Sequence, residues 1–134
     1  MTTTLSMLES HPRRADVDRT RLAAAIDSLN ACAETCTACA DACLSDDEVA
    51  ALTRCIALNL NCADICLATA RMLSRHAGED GAISRSMLEA CATACRACAQ
   101  ECARHAERQQ HCRVCAEACY SCERVCRDLM VALR

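Results

Sequence analysis

The cysteines of the stretch Cys91–Cys102 (CATACRACAQEC) recur at spacings of four, three and four. Residues three and four apart on an α-helix share one face, so Cys91, Cys95, Cys98 and Cys102 form a single stripe of thiols. The same spacing occurs at Cys32, Cys36, Cys39 and Cys43, and again, shifted in phase, at Cys112, Cys115, Cys119, Cys122 and Cys126. A sparser version is Cys55, Cys62 and Cys66, with Asn59 where a fourth cysteine would fall. A mean spacing of about 3.5 residues is that of the inward seam of a helical bundle. The pattern predicts an all-α chain: an antiparallel up-down four-helix bundle with a cysteine-lined core, plus a short N-terminal helix.

At 134 residues the chain is long enough for one domain, expected over 1–134, with a real core. It has no Phe or Trp, a single Tyr (Tyr120), two Gly and one Pro, which suits long helices and argues against a loop-rich, disulfide-stapled module. A formal charge of −3 points to no nucleic acid. No segment is expected to reach the roughly eighteen apolar residues of a membrane span. Met1–Asp18 carries no apolar signal region, and Arg13-Arg14 is followed by a charged run. A cytoplasmic, reducing setting is therefore expected, in which cysteines read as metal ligands or redox groups.

Local signals divide the chain. Thr2 to Ser10 is expected as a short helix, with Leu5 and Leu8 inward, closed by His11-Pro12 because the residue before proline avoids the α region. The first long helix should run from about Ala15 to Leu44, with Asp16 and Asp18 at the positive end of its dipole. Ser45-Asp46-Asp47-Glu48 matches a capping box, with Ser45 as N-cap of a second helix reaching about His76. His76 to Gly81 reads as a turn whose glycines can take positive φ. A third helix should run from about Ala82 to near His105, and a fourth should carry Cys112 to Cys126 and end near Leu133.

Alternating up-down order gathers Cys43, Glu48, Cys102, His105, His111 and Cys112 at one end. It gathers Leu22, Leu73, Met87, Leu88, Leu129, Met130 and Leu133 at the other. The tube is thus expected to be plugged by hydrocarbon at one end and rimmed by histidine and carboxylate at the other, where ions would enter and leave. The second helix has an extra apolar stripe, Val49, Ile56, Leu60 and Leu67, away from its cysteines. Two readings stay open: this stripe lies in an oligomer interface, or the short N-terminal segment covers it.

Buried thiols without metal stay protonated and act as small hydrophobes. With metal they become thiolates, and sixteen anions at low dielectric need cations almost one for one. That requirement favours many monovalent ions. Copper(I) is soft and prefers thiolate. Helical pairs about 5–6 Å apart at Cβ suit two-coordinate binding: Cys32/Cys36, Cys39/Cys43, Cys62/Cys66, Cys91/Cys95, Cys98/Cys102, Cys115/Cys119 and Cys122/Cys126. Cys55 and Cys112 would pair across helices or bridge. Zinc wants closed sets of four, and unbroken ladders are not written as isolated zinc sites. His105 continues the stripe of Cys98 and Cys102, and His111 adjoins Cys112, so both are candidate ligands. His11 and His76 read as solvated, Met87 and Met130 as core, and Asp46 and Asp47 as turn residues.

Four helices lined with CxxxC and CxxC repeats resemble the bacterial copper storage proteins, over nearly the whole chain to Cys126. The resemblance implies a cytosolic store that binds multiple copper(I) ions through all sixteen core cysteines, protects against free copper, and assembles as a tetramer of bundles. It also implies histidines at the mouth, compatible with His105 and His111, and a copper chaperone as a candidate partner. Asn59 departs from the full pattern, which puts the coordination around Cys55 and Cys62 in question. The competing reading is a structural zinc-thiolate protein or metal-responsive interaction module. A thiol enzyme is disfavoured, since no cysteine is set apart by a Cys/His/Asp constellation. A disulfide-stapled hairpin through Cys102 and Cys112 is disfavoured by the one-face stripes.

Overall fold

The computed structural model describes residues 2–13, 17–78 and 80–133. Helix α1 spans Thr3–Ser10, α2 Arg19–Leu44, α3 Thr53–Leu73, α4 Gly81–Ala103 and α5 Gln110–Ala132, with a single 3₁₀ turn at Val49–Ala51. There is no strand among the described residues. The four long helices form a closed ring in which α2 packs on α3 and α5, and α4 packs on α3 and α5. Sulfur contacts fix their directions: Cys62 meets Cys95 and Cys66 meets Cys91, while Cys36 meets Cys119 and Cys43 meets Cys112. Partners whose numbers rise on one helix as they fall on the next are antiparallel, giving the expected up-down bundle.

The helix starts were less legible than the helices. Thr2 caps α1, its hydroxyl accepting from Leu5 N at 3.2 Å. Asp18 caps α2 rather than lying inside it, its carboxylate accepting from Arg21 N at 3.0 Å. Ala15 and Asp16 lie outside the described residues. Ser45 is not the N-cap of a following helix. It closes α2 as C-cap, its hydroxyl donating to the Asp41 carbonyl at 3.1 Å. Asp46 instead accepts from Glu48 N at 2.8 Å, and α3 begins only at Thr53 without a side-chain cap. Glu48 is held across the bundle by Arg108 and by Gln109, so a tertiary contact takes the residue the capping box needed.

Asp80 caps α4 through Ala82 N and Ile83 N, at 2.9 and 3.3 Å. Neither glycine adopts positive φ, and Gly81 is the first helical residue of α4. Helix α3 also passes the length and hydropathy test of a membrane span, with a mean hydropathy of 1.3, contrary to the expectation that none would. Its apolarity has two sources, a cysteine face turned into the ring and a Leu/Ile flank outside it. That flank is not covered by the N-terminal helix. Helix α1 lies on α2, with Thr4 Oγ1 donating to Asp27 Oδ1 at 2.6 Å and Leu8 buried, while Leu60 and Leu67 of α3 remain 47% and 44% exposed.

Candidate metal centre

All sixteen cysteines point into the ring, and all are buried and free. Their sulfurs form a column with overlapping groups rather than separate sites. Cys32, Cys66, Cys95 and Cys122 supply one sulfur from each long helix, all within 4.8 Å of one another. Cys32, Cys36, Cys62 and Cys119 form the next group, and Cys36, Cys98, Cys115 and Cys119 the one after, with sulfurs again within 4.8 Å. Cys39, Cys55 and Cys102 follow, and then Cys39, Cys43 and Cys112 with His111. Cys32, Cys36, Cys39 and Cys119 each belong to two groups.

The shortest sulfur contacts run between helices, not along them. Cys55 and Cys102 are 3.3 Å apart and Cys36 and Cys119 3.5 Å, against 3.9–4.0 Å for the helical pairs Cys32/Cys36, Cys62/Cys66 and Cys115/Cys119. A helical repeat says which residues share a face. It does not say which residue of the next helix lies opposite, and that register makes layers out of stripes. Cys55 and Cys112, set aside in the sequence as cross-helix partners, lie beside Cys102 and Cys43 respectively.

Asn59 occupies the place of a missing thiol from α3. It is fully buried, and its Oδ1 accepts from Cys98 at 3.0 Å, Cys115 at 3.3 Å and Cys102 at 3.5 Å. Its Nδ2 donates to Cys55 Sγ at 3.9 Å. A buried amide is tolerated when its groups are paired, and here four thiols pair it. The sequence signal for this role was its position in the cysteine register, which identified a gap but not an oxygen aimed into the column.

The two mouth histidines are placed differently. His111 Nδ1 lies 3.7 Å from Cys39, 3.8 Å from Cys43 and 3.6 Å from Cys112. His105 instead bonds through Nε2 to the buried carboxylate of Glu101 at 2.9 Å. Glu101 also receives Arg104 at 3.3 Å and Arg54 at 3.5 Å. Asp46, read from sequence as a turn residue, has Oδ2 3.6 Å from His111 Nε2.

At the far end, Leu29, Leu88 and Leu129 are buried, and a cavity of about 290 Å³ is lined by Val17, Leu22, Leu73, Ile83 and Leu133. His76 is buried there at 5% exposure, not solvated as expected, because its ring packs edge-on to His11 at 5.1 Å.

Electrostatics follow burial. Desolvation pushes the Cys43 thiol up to about 11 and raises Cys112 as well. Hydrogen bonds from Cys102 and then Cys39 hold Cys55 below the usual thiol range. A cation that binds at Cys43 and Cys112 must displace their protons.

A closed helical ring enclosing a column of free thiols, with Asn59 in the one place α3 lacks a cysteine, is the architecture of a metal-binding bundle. The chain belongs to the copper storage protein family, which it matches over residues 18–131. Its structure is similar to that of the copper storage protein Ccsp from Streptomyces lividans loaded with 10 copper equivalents. The two share 52% sequence identity at a TM-score of 0.94, over 97% of this chain and 99% of that one. A second structure, of the cytosolic copper storage protein from the same organism with five coppers, is 55% identical at a TM-score of 0.82. That match covers 84% of this chain and 93% of the other. The cysteine-rich protein YhjQ of Bacillus subtilis, itself described as uncharacterized, is 32% identical over 79% of this chain and 93% of its own length.

Proposed function

We propose that this chain is a cytosolic copper(I) store that also limits free copper, and that its sixteen cysteines hold the ions as thiolates. The observation that carries this reading is the overlap of the sulfur groups, with Cys32, Cys36, Cys39 and Cys119 shared between neighbours. A shared sulfur suits a soft monovalent ion that accepts few ligands and tolerates bridging. Charge supports the same choice. Each thiol that binds gives up a proton and each copper(I) restores one positive charge, so a filled column stays near neutral. Four thiolates around one zinc ion would leave a net negative charge at low dielectric, and a stack of such sites multiplies the cost.

Ions enter at the histidine end. His111 faces three thiols there, and the other end is closed by leucine. His105 lies at the same rim. Asn59 Oδ1 offers a neutral oxygen where α3 lacks a thiol. The uncovered flank of α3, with Leu60 and Leu67, is the face we assign to a homo-oligomer, a tetramer by family resemblance. Residues 1–134 act as one folding unit, and a copper chaperone is the candidate donor.

The test is an anaerobic titration of fully reduced protein with copper(I) against a chromogenic competitor. The competitor should stay uncoloured until well over ten equivalents per chain, on the order of one ion per thiolate. Colour after about four equivalents or fewer, with tight zinc binding, would move the protein to the class of structural zinc sites.

A further inference from the structure

Both histidines at the mouth have a carboxylate behind the same ring nitrogen. Glu101 Oε2 is 2.9 Å from His105 Nε2, and Asp46 Oδ2 is 3.6 Å from His111 Nε2. These carboxylates come from different elements, Glu101 from the end of α4 and Asp46 from the turn after α2. The histidines also differ, His105 following α4 and His111 opening α5. A local sequence pattern does not produce this coincidence.

Its chemistry is directional. An ionised carboxylate only accepts hydrogen bonds, so the nitrogen that faces it carries the proton. In a neutral imidazole the other nitrogen then holds the lone pair. At His105 that leaves Nδ1 as the available donor. At His111 a bond from Nε2 to Asp46 would leave Nδ1 in the same way, and Nδ1 is the atom 3.6–3.8 Å from the sulfurs of Cys112, Cys39 and Cys43.

We propose that Glu101 and Asp46 are positioning residues for copper uptake: Glu101 fixes His105 with Nε2 protonated and Nδ1 open to the incoming ion, and Asp46 closes on His111 Nε2 once an ion binds its Nδ1. The inference rests on the mouth reading given above, in which the histidines receive copper. The two partners are set differently. Glu101 is 7% exposed and is anchored by Arg54 and Arg104, so it holds His105 rigidly. His111 Nε2 is buried and has no hydrogen-bond partner among the described residues. Asp46 lies about half an ångström beyond hydrogen-bonding reach of it. A small inward movement of the α2–α3 turn as the ion binds Nδ1 completes that bond. Asp46 thus rewards the loaded state, whereas Glu101 prepares the empty one. Carboxylates behind metal-binding imidazoles strengthen them as ligands, and losing one costs about 10–100-fold in affinity.

The first measurement needs no variant. Long-range ¹H–¹⁵N spectra of the reduced, metal-free protein near neutral pH should show His105 as the Nε2–H tautomer. An Nδ1–H tautomer there overturns the proposal. The second compares Glu101→Gln and Asp46→Asn with Asp47→Asn, an exposed carboxylate in the same turn as Asp46. Stopped-flow absorbance would follow uptake of the first copper(I) equivalent, with helical content checked by circular dichroism. Glu101→Gln and Asp46→Asn should each weaken or slow that first step by about tenfold or more. Asp47→Asn should match the parent. His105→Ala and His111→Ala separate the two layers of the argument. If the alanine variants load slowly and the amide variants load normally, the positioning role is wrong and the mouth reading survives. If the alanine variants load like the parent, the mouth reading itself falls.

Discussion

The two ends of the bundle solve opposite problems with the same helices. The sealed end buries Leu29, Leu88 and Leu129, and the turns there are built for stability, with Asp18 and Asp80 capping the helices that start at it. The mouth end begins α3 and α5 with no side-chain cap on either. Its polar groups are spent elsewhere: Glu48 on Arg108 and Gln109, Glu101 on His105 and two arginines. The difference teaches that the mouth is organised around cross-bundle contacts and open ligand atoms, at the expense of local helix ends.

The largest test of that contrast is a pair of substitutions. Leu88→Ala removes a fully buried side chain from the sealed end and should cost about 2–5 kcal/mol of copper-free stability. His111→Ala, with 27% of its side chain exposed and no short hydrogen bond, should stay within about 0.5 kcal/mol while altering uptake. Chemical denaturation of reduced protein measures both. Equal destabilisation by the two changes would mean that the mouth is as structural as the plug.

A second test uses pH. Burial raises Cys43 from the ordinary thiol value of 9.0 to about 11, among Cys39, His111 and Cys112. Above 9.0 the unfolded chain ionises this thiol first and holds fewer protons than the native protein. Copper-free stability should therefore be full below that value and decline as pH rises through about 11. Copper binding carries the opposite sign, since each ion displaces protons, so affinity should climb over the same interval. Competition titrations and denaturation series at matched pH would expose the crossing trends. Parallel trends would show that the mouth thiols ionise without copper.

Much of this was legible in the sequence, for an identifiable reason. Stripes such as Cys91–Cys102 encode a face directly, so the helices, their up-down order and the polar and apolar ends follow from periodicity. What periodicity omits is register across the ring. That is why spacing gives the helical pairs, such as Cys32/Cys36 and Cys115/Cys119, but not the cross-helix layers they belong to, such as Cys32, Cys66, Cys95 and Cys122. Asn59 was visible as a gap, but its oxygen among Cys98, Cys102 and Cys115 depends on that same register. The capping box at Ser45 failed because Glu48 lies opposite Arg108 and Gln109, some sixty residues away in sequence. Local pattern identified the turn correctly and assigned its side chains wrongly, since the contacts that hold them are not local.

The smallest effect is the one that isolates the turns. Asp80→Ala removes an oxygen that accepts from both Ala82 N and Ile83 N, leaving the start of α4 uncapped at the sealed end. It should cost about 1 kcal/mol. Ser45→Ala, at the mouth, removes only a hydroxyl that donates back to the Asp41 carbonyl one turn earlier in α2. That carbonyl still accepts from Ser45 N at 3.1 Å, and the hydroxyl is exposed, so the change should stay within about 0.5 kcal/mol. Thermal melts of reduced, copper-free protein would rank the two. A loss at Ser45 as large as that at Asp80 would restore the capping box and place a locally stabilised helix start at the mouth. The smaller loss keeps the mouth as an end held by Glu48, Glu101 and their partners across the ring.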